Sequence, residues 1–552
     1  MSRLSLSSMM AAQLDLDKGE SSSTGSSISC GPTGSAPTGE DSASEEAQNI
    51  EIRNQQLSLL IQRTSSDELS EINTAPLFTY PVLKHAQKLA TASSTSTAAI
   101  SQYGLLGGDV ECLQKISSED PRIFYNVAAP ASVFICGSQG SGKSHTLSCI
   151  LENCLIPTAK LGHLPRPLTA IVFHYDDYVS DSRVNPCEAA FLGSNGDISV
   201  RVLCSPTNIR AVKESYGKLE NVTVEALRLD QSDLNTKRMM ELMVFDRAQP
   251  LYASVVQRIL RDMRLAQQDK PSSFNYREFR NKLDDEPLSQ DQKRGLQQRL
   301  DSLESFMVAE QVKPFAWNKS AKGSVRTGTD WTPKAGELLI VDLSCPCVTA
   351  STACALFNIC LSIFLAQEYS LGRIIALDEA HRYMGDTSDS EVLTNSLLSA
   401  IRMQRHLGAR ILISTQEPTI SPKLLDLCSI TIVHRFSSPD WLNVLTKHLA
   451  GISKVAKLTK GVDDLGVDDE DEGTSRHGLR GISVSSDEPI LDLFSQIVEL
   501  RTGEALVFAP SAIVSLDTQG AKVTPKKLAH LVLRVVMRAR ITADGGRSIM
   551  AS

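Results

Sequence analysis

The chain of 552 residues carries 56 Lys and Arg against 64 Asp and Glu, a net charge of −8. That balance excludes a globally basic nucleic-acid coat while leaving room for a local basic groove. With 41% hydrophobic residues the composition supports a large core and excludes an integral membrane protein. The length allows roughly three to five domains, fewer where segments stay unfolded.

The longest apolar stretch, Ala353 to Ala366, is interrupted by Asn358 and Ser362 and falls short of the ~20 residues that cross a bilayer. No apolar signal region opens the chain, and Asp15 and Asp17 stand where a transit peptide avoids acids. The 12 cysteines include no C-x-x-C pair, and Cys136, Cys149, Cys204 and Cys360 lie in apolar runs. These features predict an intracellular, reducing setting (cytosol or nucleus), no membrane and no zinc site.

In chain order, residues 1–47 are dominated by Ser, Thr, Gly and acids, as in Ser21-Ser22-Ser23-Thr24-Gly25-Ser26-Ser27, and are expected to be disordered. Residues 48–127 show a helix-like stretch at Leu57–Arg63 and no motif; no role is read for them. At Ser132–Cys136 a short apolar run ends in glycine, the pattern of a strand buried in a parallel sheet. Similar runs follow at Thr169–His174, Val200–Cys204, Glu337–Leu343, Arg373–Leu377, Arg410–Ser414, Ile430–Val433 and Ala505–Phe508. Helix-like patterns lie between most of them, so the expected class is α/β.

Two stretches break the alternation. Residues 234–330 are charged and helix-periodic, including Gln290–Met307, and read as a helical insertion. It divides the core into a first part, 128–233, and a second, 331–453. Residues 454–488 contain Asp468-Asp469-Glu470-Asp471-Glu472 and read as a disordered acidic loop. A last core strand region occupies 489–515. In 516–552, Pro525-Lys526-Lys527-Leu528 opens an expected helix to Ile541, with His530, Arg534 and Arg538 stacked as a basic stripe. That stripe would either contact phosphates or be the solvated face of a docked helix. Arg258, Arg261 and Arg264 in the insertion carry the same ambiguity.

The run Gly137-Ser138-Gln139-Gly140-Ser141-Gly142-Lys143-Ser144 matches G-x-x-x-x-G-K-S/T between a predicted strand and a predicted helix beginning His145-Thr146, the context this motif requires. Its glycines let backbone N–H groups turn inward around phosphates, and the helix N-terminus adds partial positive charge. Lys143 is placed for the β- and γ-phosphates, and Ser144 for Mg2+. ATP and Mg2+ are the expected ligands, with residues 137–145 as the nucleotide-binding loop.

Downstream, Arg373-Ile374-Ile375-Ala376-Leu377-Asp378-Glu379 is a strand ending in two acids, a Walker B pattern. Asp378 would ligate Mg2+ and Glu379 would polarise the attacking water; otherwise the pair caps a helix. Gln416, ending the strand that starts at Arg410, is placed to sense the γ-phosphate or orient water, or simply ends the strand before Pro418.

Taken together, these motifs resemble the HerA/FtsK superfamily of P-loop ATPases, nearest its HerA-like branch. The resemblance rests on Gly137–Ser144, Asp342-Leu343-Ser344 and Asp378-Glu379-Ala380-His381-Arg382-Tyr383. It extends to Arg405-His406-Leu407-Gly408, Ser414-Thr415-Gln416-Glu417-Pro418, His434-Arg435-Phe436 and Leu500 to Val507. It implies a RecA-like core, a homo-oligomeric ring (commonly a hexamer), and pumping of DNA or protein through a central channel. It also implies that Arg405 reaches a neighbouring subunit's γ-phosphate, with Arg402 and Arg435 as substitutes; His406 stands where the family has Lys. No family-like N-terminal β-barrel is read ahead of the P-loop. The alternative is a nucleotide-dependent switch or scaffold with slow turnover and no DNA motor activity. Asp378-Glu379-Ala380-His381 also spells a helicase D-E-A-H box, but Ser414-Thr415-Gln416 replaces the S-A-T such helicases carry.

Overall fold

In a computed structural model, the described residues are 50–56, 65–92, 100–114, 119–180, 183–242, 250–269, 272–312, 328–367, 371–448, 489–519 and 522–545. The expected N-terminal tail, the Leu57–Arg63 stretch and the acidic loop lie outside them. Residues 50–56, helical, fall in a unit ending at Arg63, and the unit from Thr64 onward holds everything below.

The strands are β1 (Leu77–Thr79), β2 (Tyr103–Asp109), β3 (Arg122–Asn126), β4 (Ser132–Cys136), β5 (Gly162–His163), β6 (Thr169–His174), β7 (Ser199–Cys204) and β8 (Val222–Ala226). They continue as β9 (Glu337–Asp342), β10 (Arg373–Leu377), β11 (Ala409–Thr415), β12 (Ile430–Val433), β13 (Glu504–Phe508), β14 (Ile513–Gln519), β15 (Lys522–Lys527) and β16 (Leu533–Met537). One sheet joins them, in the order β15-β14-β1-β3-β2-β16-β13-β12-β4-β11-β10-β6-β9-β7-β8, with β5 paired to β2. From β12 to β8 every pairing is parallel.

The inner strands of the parallel half, β4, β6 and β12 among them, are buried throughout because both faces are covered, whereas the edge strand β8 is partly exposed. Val133 and Ile135 of β4 enter one core, Phe134 and Cys136 the other; Ala170 and Val172 of β6 likewise part from Ile171 and Phe173. The helix Lys143–Leu155 packs on the first face, and the helices Ala350–Ala366 and Ser388–Arg402 on the second. Helices at Thr236–Leu242, Pro250–Asp269, Tyr276–Asp284 and Gln290–Phe306 share that second core through Met239, Ile259, Phe279, Leu300 and Phe306. The inserted segment is thus part of the core. No helix among the described residues is long and apolar enough to cross a membrane.

One stretch left without a role gains a structure, and one reading is corrected. The first concerns the residues ahead of the P-loop, which supply β1, β2 and β3 and, among the described residues from Ser65 onward, the helices Ser65–Thr74, Tyr80–Ala92 and Val110–Gln114. Their strands combine with β13 to β16 in an antiparallel half, joined parallel only at β1 and β14. In β2 a Cβ on Gly107 would lie 2.3 Å from the Val536 carbonyl oxygen, and one on Gly104 2.5 Å from Asn153. Glycine is what lets this strand approach both neighbours, beside a register shift between Leu105 and Gly107.

The second is the expected C-terminal helix, which is absent. Lys522–Lys527 and Leu533–Met537 are strands. Ala529 turns at φ 55 between them, and burial along Leu533–Met537 alternates with period two. Pro525 is tolerated because β15 lies at the sheet edge. The basic stripe does not form: Arg534 pairs with Glu504 at 2.7 Å and Arg538 is buried against Glu152.

Candidate nucleotide site

β4, β11 and β10 lie side by side in register, Cys136 opposite Thr415 and Leu377 opposite Ile413. The P-loop, Gln416 and the pair Asp378-Glu379 therefore leave the sheet at one edge, the carboxyl ends of its parallel strands, where α/β folds place ligands. The strand carrying Gln416 is the one between the other two.

Gly137, Gly140 and Gly142 of the loop have φ of 151, 70 and 112. At Gly137 a Cβ would also come within 2.7 Å of the His434 Cβ, so only glycine fits. Ser138 anchors the loop, its N–H and hydroxyl both donating to the Arg435 carbonyl at 2.9 Å. The Ser138 carbonyl accepts from Ser141 Oγ at 2.7 Å and from Lys143 Nζ at 2.9 Å. Gln139 and Gly140 form the exposed tip. Ser144, second in the helix, is half-buried and its hydroxyl has no hydrogen-bond partner among the described residues. The His145 side chain is turned away, donating from Nε2 to the Arg538 carbonyl at 2.8 Å, so only its backbone remains for a phosphate.

Lys143 is buried. Burial lowers its pKa, while the charges of Glu379 and Asp378 act in the opposite direction. Glu379 sits at φ 47, ψ 45, a left-handed conformation that costs a non-glycine residue of order 1–2 kcal/mol. Burial, and next the charge of Asp378, raise its carboxyl above the ordinary range, offset by Lys143 and Gln416. Gln416 Nε2 donates to Glu379 Oε2 at 2.5 Å, and His381 Nδ1 stands 3.5 Å from the same oxygen. The Gln416 carbonyl accepts from Trp441 Nε1 at 2.7 Å, which fixes the strand end. Asp378 is buried, and its Oδ1 has no hydrogen-bond partner among the described residues. An orphaned carboxylate oxygen and a free Ser144 hydroxyl fit an oxygen-seeking divalent cation of the Mg2+ type.

Arg405, on the short helix Gln404–Leu407, is exposed and has no polar partner among the described residues. Arg402 is exposed as well, and Arg435 is exposed on the segment whose backbone holds Ser138. In the insertion, Arg258 is paired with Glu286 at 2.6 Å and Arg264 reaches Gln267 at 3.5 Å.

Sequence reasoning gave two residues of this edge no role. His434 is fully buried under the P-loop, with Nδ1 2.9 Å from the Glu504 carbonyl and Nε2 2.9 Å from Thr146 Oγ1. A carbonyl only accepts, so Nδ1 carries the proton and Nε2 accepts from the threonine. A histidine closing an apolar strand beside the P-loop strand was the available signal. Arg382, after Walker B, pairs with Asp176 at 2.5 Å and Asp177 at 3.2 Å, tying the Glu379 turn to the end of β6.

The family described as "Helicase HerA, central domain" matches residues 126–355. No curated protein matches the chain. Among solved structures, VirB4 of Thermoanaerobacter pseudethanolicus is similar at 9% identity and TM-score 0.41, over 80% of this chain and 97% of that one. The bacterial conjugative coupling protein TrwB is similar at 11% identity and TM-score 0.38, over 80% and 94%. The genome packaging NTPase B204 from Sulfolobus turreted icosahedral virus 2, in complex with ATP-gammaS, is similar at 9% identity and TM-score 0.25, over 69% and 92%.

Proposed function

We propose that the chain carries a P-loop ATPase core of the HerA/FtsK type, a reading supported by the family match over residues 126–355, and that it binds ATP with Mg2+ and hydrolyses the β–γ phosphoanhydride bond. The observation that carries the reading is the meeting of Lys143, Glu379 and Gln416 at one sheet edge, with Gln416 Nε2 2.5 Å from the Glu379 carboxylate.

The loop N–H groups and Lys143 take up the phosphates, Lys143 exchanging the Ser138 carbonyl for the γ-phosphate. Ser144 and Asp378 would hold the cation, which would supply charge neutralisation at the phosphate oxygens. Glu379 orients the attacking water and accepts its proton. Gln416 bridges the water and γ-phosphate to that carboxylate. An exposed Arg405 without a polar partner among the described residues suits a role in trans, in a homo-oligomeric ring, hexameric in the form the resemblance implies. Intracellular localisation and DNA as the polymer are parts of the same proposal; the DNA part rests on the family resemblance, since the C-terminal basic stripe does not form.

One observation favours the slow-switch reading for the isolated subunit. Glu379 is held by Gln416 and flanked by His381, so fast turnover would wait for the neighbouring subunit. The test is steady-state ATP turnover of wild type and Glu379→Gln, with and without duplex DNA. The substitution is expected to lower turnover at least ~100-fold, the lower scale for loss of a general base. Stimulation by DNA would support translocation, and equal rates with and without it would withdraw DNA as the polymer. Wild-type turnover no higher than that of Glu379→Gln would overturn the hydrolase.

A further inference from the structure

Beside the nucleotide edge lies a second cluster that shares only Asp378 with the proposed ATP site. His174 ends β6, Asp378 follows β10, and Cys187 precedes the short helix Glu188–Ser194. β6 and β10 are neighbours, Phe173 opposite Leu377, so His174 and Asp378 leave the sheet together. Cys187 joins them because its backbone N–H donates to Tyr216 Oη at 2.8 Å, and that hydroxyl donates to Asp342 Oδ2 at 2.5 Å.

The three side chains are buried, their ligand atoms all within 4.8 Å of one another. His174 Nδ1 is 3.6 Å from Asp378 Oδ2, and Cys187 Sγ is 3.8 Å from the same oxygen. Tetrahedral zinc bonds of ~2.0–2.3 Å place N and O about 3.4 Å apart and S and O about 3.6 Å apart, so the cluster is close to the spacing of a zinc shell. Moreover, neither ring nitrogen of His174, which is 8% exposed, has a hydrogen-bond partner among the described residues. A buried imidazole whose Nδ1 meets Asp378 only at 3.6 Å and whose Nε2 has no hydrogen bond calls for a partner.

We propose that His174, Cys187 and Asp378 form a binding site for a thiophilic divalent cation of the Zn2+ class, and that its occupancy lowers ATP turnover. Sulfur, imidazole and carboxylate together select Zn2+ or Co2+ over Mg2+. Three protein ligands leave the fourth position for water. The Cys187 thiol passes its proton to solvent as the metal–sulfur bond forms. Asp378 then serves two ions, Oδ2 for this one and Oδ1 for the nucleotide's Mg2+. The inhibitory part rests on the assignment of Asp378 to the nucleotide site; the binding part does not.

The full chain is titrated with Co2+ in thiol-free buffer containing excess Mg2+, and the sulfur-to-cobalt charge-transfer band is followed. The expected result is one Co2+ per chain, displaced by Zn2+, with the band lost in Cys187→Ser and the metal bound at least ~10-fold more weakly in His174→Gln. No band in wild type, or a band that persists in Cys187→Ser, would overturn the site. Should Cys187→Ser fail to fold, undiminished Co2+ affinity in His174→Gln overturns it equally. ATP turnover is then measured with Zn2+ added. Inhibition of wild type with resistance in Cys187→Ser is expected. Stoichiometric Co2+ binding without Zn2+ inhibition would leave the site standing and overturn the sharing of Asp378. Absence of turnover in wild type freed of Zn2+ and Co2+ but supplied with Mg2+ instead reports failure of the hydrolase reading.

Discussion

Replacing Arg538 by alanine removes a guanidinium that holds the C-terminal strand to the P-loop helix. In the structure Nη1 donates to Glu152 Oε2 at 2.6 Å, Nε to the Leu105 carbonyl at 2.8 Å, and Nη2 to the Cys149 carbonyl at 2.8 Å and Asn153 Oδ1 at 3.0 Å. The Arg538 side chain is 7% exposed and that of Glu152 0%. Removing one partner of a buried pair costs about 3–5 kcal/mol, because the remaining charge is stranded. Here the lower end applies: Glu152 keeps the N–H of Ile541, the N–H and hydroxyl of Thr542, and Arg540 at 4.0 Å. The expected loss is thus about 3 kcal/mol. It is read as a lowered urea midpoint, with faster hydrogen exchange along Lys143–Leu155. Arg538→Lys, which keeps the charge but not the fork, should fall between. A midpoint equal to wild type would refute the buried anchor and return Arg538 to the surface stripe.

Other expectations follow from the same site. Burial holds the His434 imidazole down at about 4, against 6.5 when unperturbed. A lowered value means the neutral form is favoured in the fold, so its stabilisation is complete above about pH 6.5 and drains away as pH falls towards 4, by about 3 kcal/mol in all. Denaturation midpoints across that window should slope less in His434→Leu than in wild type; equal slopes would sink the assignment. Arg405→Ala should lower turnover of the assembled protein by about 10³-fold or more, the scale of an arginine finger. Mixing it with a Lys143→Ala chain should restore part of the activity if the two residues serve one site from different subunits. Wild-type rates in Arg405→Ala would exclude the role.

The parallel strands were legible because burial on both faces leaves uninterrupted apolar runs, as in Ser132–Cys136 and Arg373–Leu377. Thr169–His174 and Ile430–Val433 were read to the residue for the same reason. The antiparallel half gave no such signal. β2, Tyr-Gly-Leu-Leu-Gly-Gly-Asp, holds its place through glycines whose partners Val536 and Asn153 are distant in sequence. Around Leu528 to Val536 the apolar spacing satisfies a helix and a strand alike, and the turn at Ala529 decides between them. The P-loop and Walker B are local words in the chain and were readable as such. His434 under Gly137, and His174 with Cys187 and Asp378, depend on which strands become neighbours, which no local spacing records.

The interleaving of β2 and β16 has a consequence for how the protein is made. The helix that begins with Lys143 is clamped by Arg538 and Thr542, and β16 is the partner that joins β2 to β13. A ribosome that has already released the P-loop, Walker B and Gln416 still holds back the strand that seals Glu152. Until that strand emerges, the nascent chain presents unpaired edges on β2 and β13, the surfaces on which strands of other chains add. Premature termination after β13 would therefore yield a polypeptide that keeps every phosphate-contacting residue and is directed to aggregation or chaperones.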